Sequence, residues 1–164
     1  MKKIVNIAKS LLAVMLGIGI CNVGQAAAPN CPPAKSSPIQ LHNPAGIAAP
    51  FSFYSHGASA PSQARWLYIS GQVGVAPDGV IPDDAEKQIA LAWDNVVAVL
   101  ADAGMTVNDL VKVDAFVTRA DLVPFYGKER ERRLCGHAAA STTVVVAGLV
   151  APKLLVEIQA VAAR

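Results

Sequence analysis

The segment "HAAASTTVVVAGLVAPKLLVEIQAVA", residues 137–162, contains two apolar runs separated by a short break and decides the fold. Short apolar runs rich in Val and Leu are typical of buried strands. Alternation along the second run gives one apolar face and a second face that carries Glu157 and Gln159. Helices would cover the apolar face and leave Glu157 on the other. If that second face is buried between subunits, the carboxylate is costly unless it is paired or protonated, and such a residue tends to be kept for a role. Glu157 is therefore a candidate catalytic residue, and a solvated surface carboxylate is the alternative.

Upstream of this segment the pattern alternates between strands and helices. Apolar alternation predicts strands at 51–60, 66–72 and 111–118, the last with Val111, Val113, Ala115 and Val117 on one face. The second of these strands is followed by a stretch with an apolar stripe at helical spacing, Ile89, Trp93, Val96 and Leu100. The order β-β-α-β-α-β-β predicts an α+β fold, a mixed sheet with two helices on one face.

The ends of the two helices have recognisable signals. Asp83 with Glu86 three residues later predicts a capping box at the start of the first helix, and Gly104 predicts its end. Asp121 is the expected cap of the second helix, Pro124 suits its first turn, and the helix should end near Gly136. Within it, "KERERRL" (128–134) alternates in sign, which is typical of a solvated helix face.

The N-terminal region divides into two segments. Residues 1–26 have a basic start, an apolar stretch and a small-residue cleavage site near Ala26, which predicts a signal peptide and a secreted or periplasmic protein. A retained anchor helix is the alternative, but the apolar stretch is short for a membrane span. Residues 27–49 are rich in Pro and Ala and predict an arm or linker before a domain at 50–164. We expect no stable membrane anchor after cleavage.

Charge and cysteine content restrict the possible partners. Without the three lysines of the signal segment, 11 basic residues face 12 acidic ones, so we expect no nucleic-acid binding. Cys31 and Cys135 would remain, and an oxidising compartment permits a disulfide, although their sequence contexts leave the pairing open. The His and Cys residues are too scattered for a zinc pattern, and no cofactor motif is present, so we expect neither metal nor cofactor.

Two short clusters are further candidates. In Tyr54-Ser55-His56, strand alternation would put Tyr54 and His56 on one side and Ser55 on the other, so the three cannot act on one substrate together. A rim aromatic beside a surface histidine is the alternative. Gly71 permits close approach of a ligand or another backbone, or it marks a simple β-bulge.

These features in this order resemble the RidA/YjgF family, whose members are described as enamine/imine deaminases and, under an older name, as L-PSP endoribonucleases. The resemblance covers residues about 50–163 and rests on four stretches: "YSHGA" (54–58), "LYISGQVGVAPDG" (67–79), "AWDNVVAVLADAGMTVNDLVKVDAFVT" (92–118) and "VVVAGLVAPKLLVEIQAVA" (144–162). It implies a chorismate-mutase-like fold assembled as a homotrimer whose sheets form a central barrel. This assembly would cover the free sheet face.

The resemblance also implies a site in clefts between subunits, where a small-molecule ligand binds. Glu157 matches the family's water-positioning Glu and Tyr54 its site-closing Tyr, so both are expected to be catalytic. Ser141, Thr143 and Gly71 are the expected ligand-binding residues. Ser141, however, stands where the family has an Arg that clamps the substrate carboxylate, as in a branch that lacks it.

No Lys or Arg occurs between Arg133 and Lys153, so nothing near Ser141 in the sequence replaces the clamp. Three functions follow from this departure. The first is binding of a small, weakly polar ligand, with hydrolysis of an imine or related electrophile by water that Glu157 positions. The second is a 2-imino acid deaminase with a substitute clamp. The third is a non-catalytic ligand-binding or holdase protein. A ribonuclease is disfavoured by the near-neutral charge.

Overall fold

The computed structural model describes Cys31 and residues 37–164. The predicted signal segment 1–26 lies outside the described residues, as does the arm up to residue 36 except for Cys31. In the part of the arm that is described, residues 40–42 form a short strand. Among the described helices, none has both the length and the apolar character needed to cross a membrane.

The described chain forms one principal sheet, a small hairpin sheet and two long helices. The elements are β1 Gln40–His42, β2 Gly57–Ser59, β3 Trp66–Val73, α1 Ala85–Asp102, β4 Leu110–Val117, α2 Val123–Leu134, β5 Ala140–Val145 and β6 Val156–Ala163. The principal sheet has the order β3-β6-β4-β5, in which β4 and β5 are parallel and the other pairs antiparallel. The predicted α+β fold with two helices packed on a mixed sheet is therefore confirmed.

The core lies between the two helices and one face of the sheet. The predicted stripe of α1 is buried there, with Trp93 and Val96 fully enclosed. The apolar face of β6 meets it, and Val156 and Ile158 are completely buried. Each such side chain contributes roughly 1.5–3 kcal/mol of hydrophobic stabilisation. The face assignment made from the alternation in residues 154–161 is thus confirmed, and it leaves Glu157 on the side of the sheet away from the helices.

Both helices begin differently from the sequence prediction. Asp84, rather than Asp83, caps α1, because its carboxylate accepts a hydrogen bond from the Lys87 N–H at 2.8 Å. Glu86 then falls at the second helical position, one residue too early for a capping box. The cap predicted at Asp121 was also wrong. This residue lies in a short 3₁₀ helix, Ala120–Leu122, and its carboxylate is paired with Arg119. 

Pro124 does lie in the first turn of α2, as predicted. The C-terminal ends agree too: Gly104 and Gly136 both have positive φ just beyond their helices.

Two strand predictions need correction. Of the strand expected at 51–60, only residues 57–59 are in β2, which pairs with β1 rather than with the principal sheet. The preceding residues bend because the Tyr54 N–H donates to the Ser52 carbonyl. In β4, an irregularity after Leu110 turns Val111 away from the main core into a small cluster with Ile39, and Leu110 takes the core position.

The structure resolves the question of the cysteine pair, because Cys31 and Cys135 form a disulfide with a Cα–Cα distance of 5.6 Å. The bond joins the N-terminal arm to the residue that ends α2. It links positions 104 residues apart in the sequence. Closing a loop of that length is worth about 4–5 kcal/mol in the chain-entropy account. The C-terminal end of α2 is therefore held by a covalent link as well as by packing.

Candidate functional site

Helix α2 places an arginine where an apolar residue would be expected. Every fourth residue from its N-terminal cap is buried, and the stripe reads Leu122, Tyr126, Arg130, Leu134. Arg130 is only 4% exposed. The prediction that residues 128–134 form a solvated face is therefore wrong at this position. The four-residue spacing was visible in the sequence, but the alternating charges concealed it.

The guanidinium of Arg130 is held by neutral groups. Its Nη1 donates to Ser141 Oγ at 3.1 Å, and its Nη2 donates to Ser52 Oγ at 3.2 Å. Its carbon lies 5.9 Å from the Tyr54 ring centroid and 5.7 Å from that of Tyr126. These distances are short enough for cation–π attraction. Two serine hydroxyls and two aromatic rings thus fix the orientation of the charge without neutralising it.

Arg130 has no counter-ion among the described residues. The ion pairs found there involve Lys112, Arg119, Arg132 and Arg133. The Nε of Arg130 is buried and makes no hydrogen bond within the same part of the chain. Burying a cation without a partner costs several kcal/mol. A small anion bound beside Arg130 would offset that cost, so the site is suited to a carboxylate.

A cleft of about 410 Å³ opens beside this arginine. Its polar lining residues are Arg130, Ser52, Ser141 and Thr143, and the rest of its lining is Phe51, Tyr54, Val123, Tyr126 and Gly127. Burial raises the pKa of the Tyr126 phenol well above its ordinary value, an effect that the nearby Arg130 charge partly offsets. The phenol therefore stays protonated at neutral pH. The cleft combines one fixed positive charge, several hydroxyls and an apolar region.

The register of β5 explains why the predicted ligand-binding residues belong to this cleft. Ser141 pairs with Val113, and Thr143 pairs with Ala115. Both partners on β4 are buried under the helices, and paired residues point to the same face. Ser141 and Thr143 therefore face the helix layer, where α2 carries Arg130. Tyr54 lies at the same cleft, so the structure brings these three predicted residues together.

The Tyr54 segment has the arrangement that the sequence predicted. The rings of Tyr54 and His56 lie on the same side, 6.1 Å apart and nearly perpendicular, and Ser55 is buried. The His56 Nε2 is hydrogen-bonded to the Ala48 carbonyl oxygen at 2.7 Å. The Tyr54 hydroxyl accepts a hydrogen bond from the Phe51 N–H at 3.4 Å. The Tyr54 ring remains as a wall of the cleft.

Glu157 and Gly71 form a second group on the opposite face of the sheet. Glu157 pairs with Phe116, which alternates with the buried Ala115, so its carboxylate points away from the helices. It lies over Gly71, where an added Cβ would be 2.7 Å from Glu157 Cδ. Strand β3 also has an irregular register between Ile69 and Gln72. Gly71 therefore makes room for the carboxylate, and within one protomer Glu157 does not reach the Tyr54 cleft.

The expectation that no cation stands near Ser141 is corrected by the fold. Arg130 precedes Ser141 by 11 residues and lies just outside the interval that contains no Lys or Arg. The chain turns after α2 and enters β5, and the side chains of Arg130 and Ser141 meet across that turn. Ser52, Phe51 and Gly127 were also missed, because the sequence gives no sign that the 51–54 segment approaches α2.

Among the described residues, no group of three His, Cys, Asp or Glu side chains could hold a metal ion.

Comparison with known proteins agrees with this fold. The profile of the Endoribonuclease L-PSP family matches residues 46–164. The RutC family protein YjgH of Escherichia coli is 39% identical over 75 residues, which are 46% of this chain and 56% of that protein. The putative reactive intermediate deaminase TdcF of the same species is 40% identical over 53 residues, 32% of this chain and 41% of TdcF. The chain thus spans about half the length of the curated relatives that it matches.

Solved structures extend the similarity over more of the fold. A Rid-family protein of unknown function from Yersinia pestis, YyfB, superposes with a TM-score of 0.69 at 26% identity, covering 77% of this chain and 99% of that one. The crystal structure of E. coli TdcF with bound serine gives a TM-score of 0.57 at 29% identity, covering 72% and 91% of the two chains. From the profile match over most of its length and from its fold, this chain belongs to the Endoribonuclease L-PSP (RidA/YjgF) family.

Proposed function

We propose that this protein binds small carboxylates in the cleft beside Arg130 and hydrolyses an imine or enamine group that they carry. The observation that carries the proposal is the buried guanidinium of Arg130 beside Ser141, which has no counter-ion within the part of the chain that the structure describes. The relatives support it in two ways. TdcF is named as a putative reactive intermediate deaminase, and its crystal structure holds serine, a molecule with a free carboxylate.

Arg130 takes the role that the resemblance gives to an arginine at position 141. A guanidinium offers five N–H donors in a planar fork, and Arg130 uses one for Ser141 and one for Ser52. The remaining donors can bind a carboxylate. The two serines keep the fork in place, Thr143 adds a hydroxyl at the same end, and the Tyr54 ring closes the cleft. The function is therefore a deaminase with a substitute clamp, the second of the three functions considered from the sequence.

In the proposed reaction, water adds to the imine carbon and the resulting carbinolamine releases ammonia. The C=N bond is replaced by C=O, so a 2-imino acid becomes a 2-oxo acid. Glu157 is the group that moves the protons: it passes one from the attacking water to the imine nitrogen, and then one from the carbinolamine hydroxyl to the departing nitrogen, so that both protons of the water leave in ammonia. The carboxylate end of the substrate stays on Arg130 throughout. No oxidant or cofactor is required for this balance.

Glu157 can serve the Arg130 cleft only if another copy of the chain supplies it, since the two groups lie on opposite faces of one protomer's sheet. We therefore propose a homotrimer with a site in each cleft between subunits. The exposed aromatic residues on the Glu157 face support an assembly, since Trp66 is 45% exposed and Tyr68 is 76% exposed.

We also propose that the protein is exported to an oxidising compartment. The basic and apolar N-terminal sequence supports this, and so does the disulfide between Cys31 and Cys135. The near-neutral charge without the signal segment favours a small-molecule ligand over nucleic acid. Processing is tested by mass spectrometry of the protein recovered from each cell fraction.

The function is tested by generating 2-iminopropanoate in situ with an amino-acid oxidase and measuring its hydrolysis. We expect turnover by the wild type and loss of at least about 100-fold in kcat/KM for Arg130→Met. For Glu157→Gln we expect a similar loss, mainly in kcat, because a group that acts on the water is needed for the chemical step. Arg132→Met, on the solvent side of the same helix, is the matched control and should retain activity.

Different failures have different meanings. Turnover that survives Arg130→Met would remove the substitute clamp from the account. Carboxylate binding without turnover, unchanged by Glu157→Gln, would leave a binding protein in place of a deaminase. A monomer in light scattering at assay concentration, with full activity, would remove the site between subunits.

A further inference from the structure

We infer that Gly127, with Phe51 and Val123, forms a pocket for a bulky apolar side chain on the bound carboxylate, and that Gly127 sets the size it accepts. The inference rests on the proposed function, because Arg130 must hold the carboxylate for the side chain to be placed. It names the substrate class more narrowly: imines derived from amino acids with branched or aromatic side chains.

Gly127 leaves open space on the wall of the cleft. It lies in the middle of α2, and a Cβ added to it would have no atom within 4 Å apart from its immediate surroundings in the helix. Val123 lies four residues before it and Arg130 three residues after it, so the three share one side of the helix. Along that side, Val123 is apolar, Gly127 has no side chain and Arg130 carries a positive charge. A ligand bound to Arg130 would therefore extend over Gly127 towards Val123.

Phe51 supplies an apolar wall in the same cleft. Its side chain is 96% exposed, more than any other large apolar residue described. Its backbone N–H donates to the Tyr54 hydroxyl, which ties the segment to the aromatic residue beside Arg130. A ligand's apolar group that filled the space between Phe51 and Gly127 would cover part of this ring. A group as small as a methyl would leave the ring in water.

The dimensions of the cleft agree with a larger ligand. Its volume is about 410 Å³, within the range of pockets that enclose small molecules. A carboxylate and an imine carbon occupy only the Arg130 end. The apolar end is left for a side chain of the size of leucine or phenylalanine. Apolar pockets of this kind discriminate by roughly 10–200-fold for a change in side-chain size.

The test compares kcat/KM for imines made in situ from L-alanine, L-leucine and L-phenylalanine. We expect the wild type to prefer the leucine- and phenylalanine-derived imines. Gly127→Leu should lower that preference at least about 10-fold, because its side chain occupies the space that the substrate needs. Lys128→Leu introduces the same side chain at the next position of the helix, which faces another groove, and should leave the preference unchanged.

Phe51→Ala provides a second, independent variant, since so exposed a side chain contributes little to folding. It should lower the preference for the larger imines without changing the subunit count in light scattering. An unchanged preference in both Gly127→Leu and Phe51→Ala would overturn the inference. Dissociation of the oligomer by Phe51→Ala would also overturn it, because the ring would then be a subunit contact.

The inference and the proposed function fail differently. If no imine is hydrolysed and no 2-oxo acid binds, the proposed function fails and the pocket falls with it. If 4-methyl-2-oxopentanoate and pyruvate bind through Arg130 with equal affinity in the wild type and in Gly127→Leu, only the pocket is wrong.

Discussion

Two sets of arginines on α2 have opposite surroundings. Arg132 and Arg133 lie on the outer side of the helix and are paired with Glu129, and Arg133 also reaches Asp94 on α1. Arg130, on the inner side, is more deeply buried than either and is held only by hydroxyls and aromatic rings in the described chain. Arg133 thus joins the two helices, whereas the described residues leave the charge of Arg130 without a counter-ion.

This difference in surroundings indicates different roles: Arg133 stabilises the fold, whereas Arg130 is suited to bind a ligand. Burial alone would lower the pKa of Arg133, but hydrogen bonds from its guanidinium to Asp94 and Glu129 raise it above the ordinary value. Such a network stabilises the fold with no ligand present. Arg130 has no counter-ion among residues 37–164 and would gain one when an anion enters the cleft, so its contribution should appear in binding and not in the stability of the free protein.

The largest effect should come from moving a second cation to the inner side. In Ser141→Arg, two guanidinium groups would compete for the same buried space. We expect the free energy of unfolding to fall on the order of 3 kcal/mol, measured by urea denaturation. The double variant Ser141→Arg with Arg130→Ser exchanges the two residues and should recover most of that loss together with carboxylate binding.

A Ser141→Arg variant that is as stable as the wild type would show that Ser141 does not share the Arg130 site. Failure of the exchanged variant to bind, despite recovered stability, would show that only a clamp on α2 can serve this cleft.

A smaller effect is expected on the outer side. Arg133→Met removes a hydrogen bond to Glu129 within α2 and the hydrogen bonds to Asp94 and the Ala90 carbonyl that join α2 to α1. We expect a loss of about 1–2 kcal/mol in the free energy of unfolding. Affinity for a 2-oxo acid should stay within about twofold, because Arg133 does not line the cleft. A large loss of affinity with little change in stability would contradict the division between the two sides.

The smallest effect should be a pH dependence at Glu129. Burial would raise the pKa of this carboxyl, but hydrogen bonds from Arg132 and Arg133 lower it below its ordinary value of 4.5. A carboxyl whose pKa is lower in the folded state stabilises that state above the unfolded pKa and loses the effect as pH falls.

The difference in unfolding free energy between the wild type and Glu129→Gln should therefore be under about 1 kcal/mol near pH 7 and should shrink as the pH falls below 4.5. Urea denaturation at about pH 7 and about pH 3 measures it. A difference that grows on acidification would mean that the Arg pairs do not stabilise the ionised carboxyl.

The sequence predicted the fold well where the spacing of apolar residues determines which face of a helix or strand is buried. The stripe of α1 and the alternation of β6 determined which faces are buried, and the structure agrees at Trp93, Val156 and Ile158. It was less informative at the helix starts, since adjacent Asp83 and Asp84 have the same capping chemistry and only the backbone geometry selects one. The register irregularity that turns Val111 out of the core has no local sequence signal.

The site was predicted only in part. The resemblance pointed to Tyr54, Ser141 and Thr143, which do meet at one cleft. Arg130 was missed because it meets Ser141 through the fold and lies outside the stretch between Arg133 and Lys153 that surrounds Ser141 in the sequence. Charges in "KERERRL" also suggested uniform exposure, although position 130 continues the buried stripe through Tyr126 and Leu134. Contacts between distant segments, such as Ser52 with Arg130, cannot be derived from local patterns.

The most direct test of the account is the affinity of 4-methyl-2-oxopentanoate for the wild type and for Arg130→Met, measured by isothermal titration calorimetry. We predict one ligand per protomer for the wild type and an affinity at least about 30-fold weaker for Arg130→Met, the lower end of the cost of removing a buried charge partner. The ligand-free variant should be as stable as the wild type or more stable. Equal affinity in the two proteins would contradict the claim that Arg130 is the carboxylate clamp.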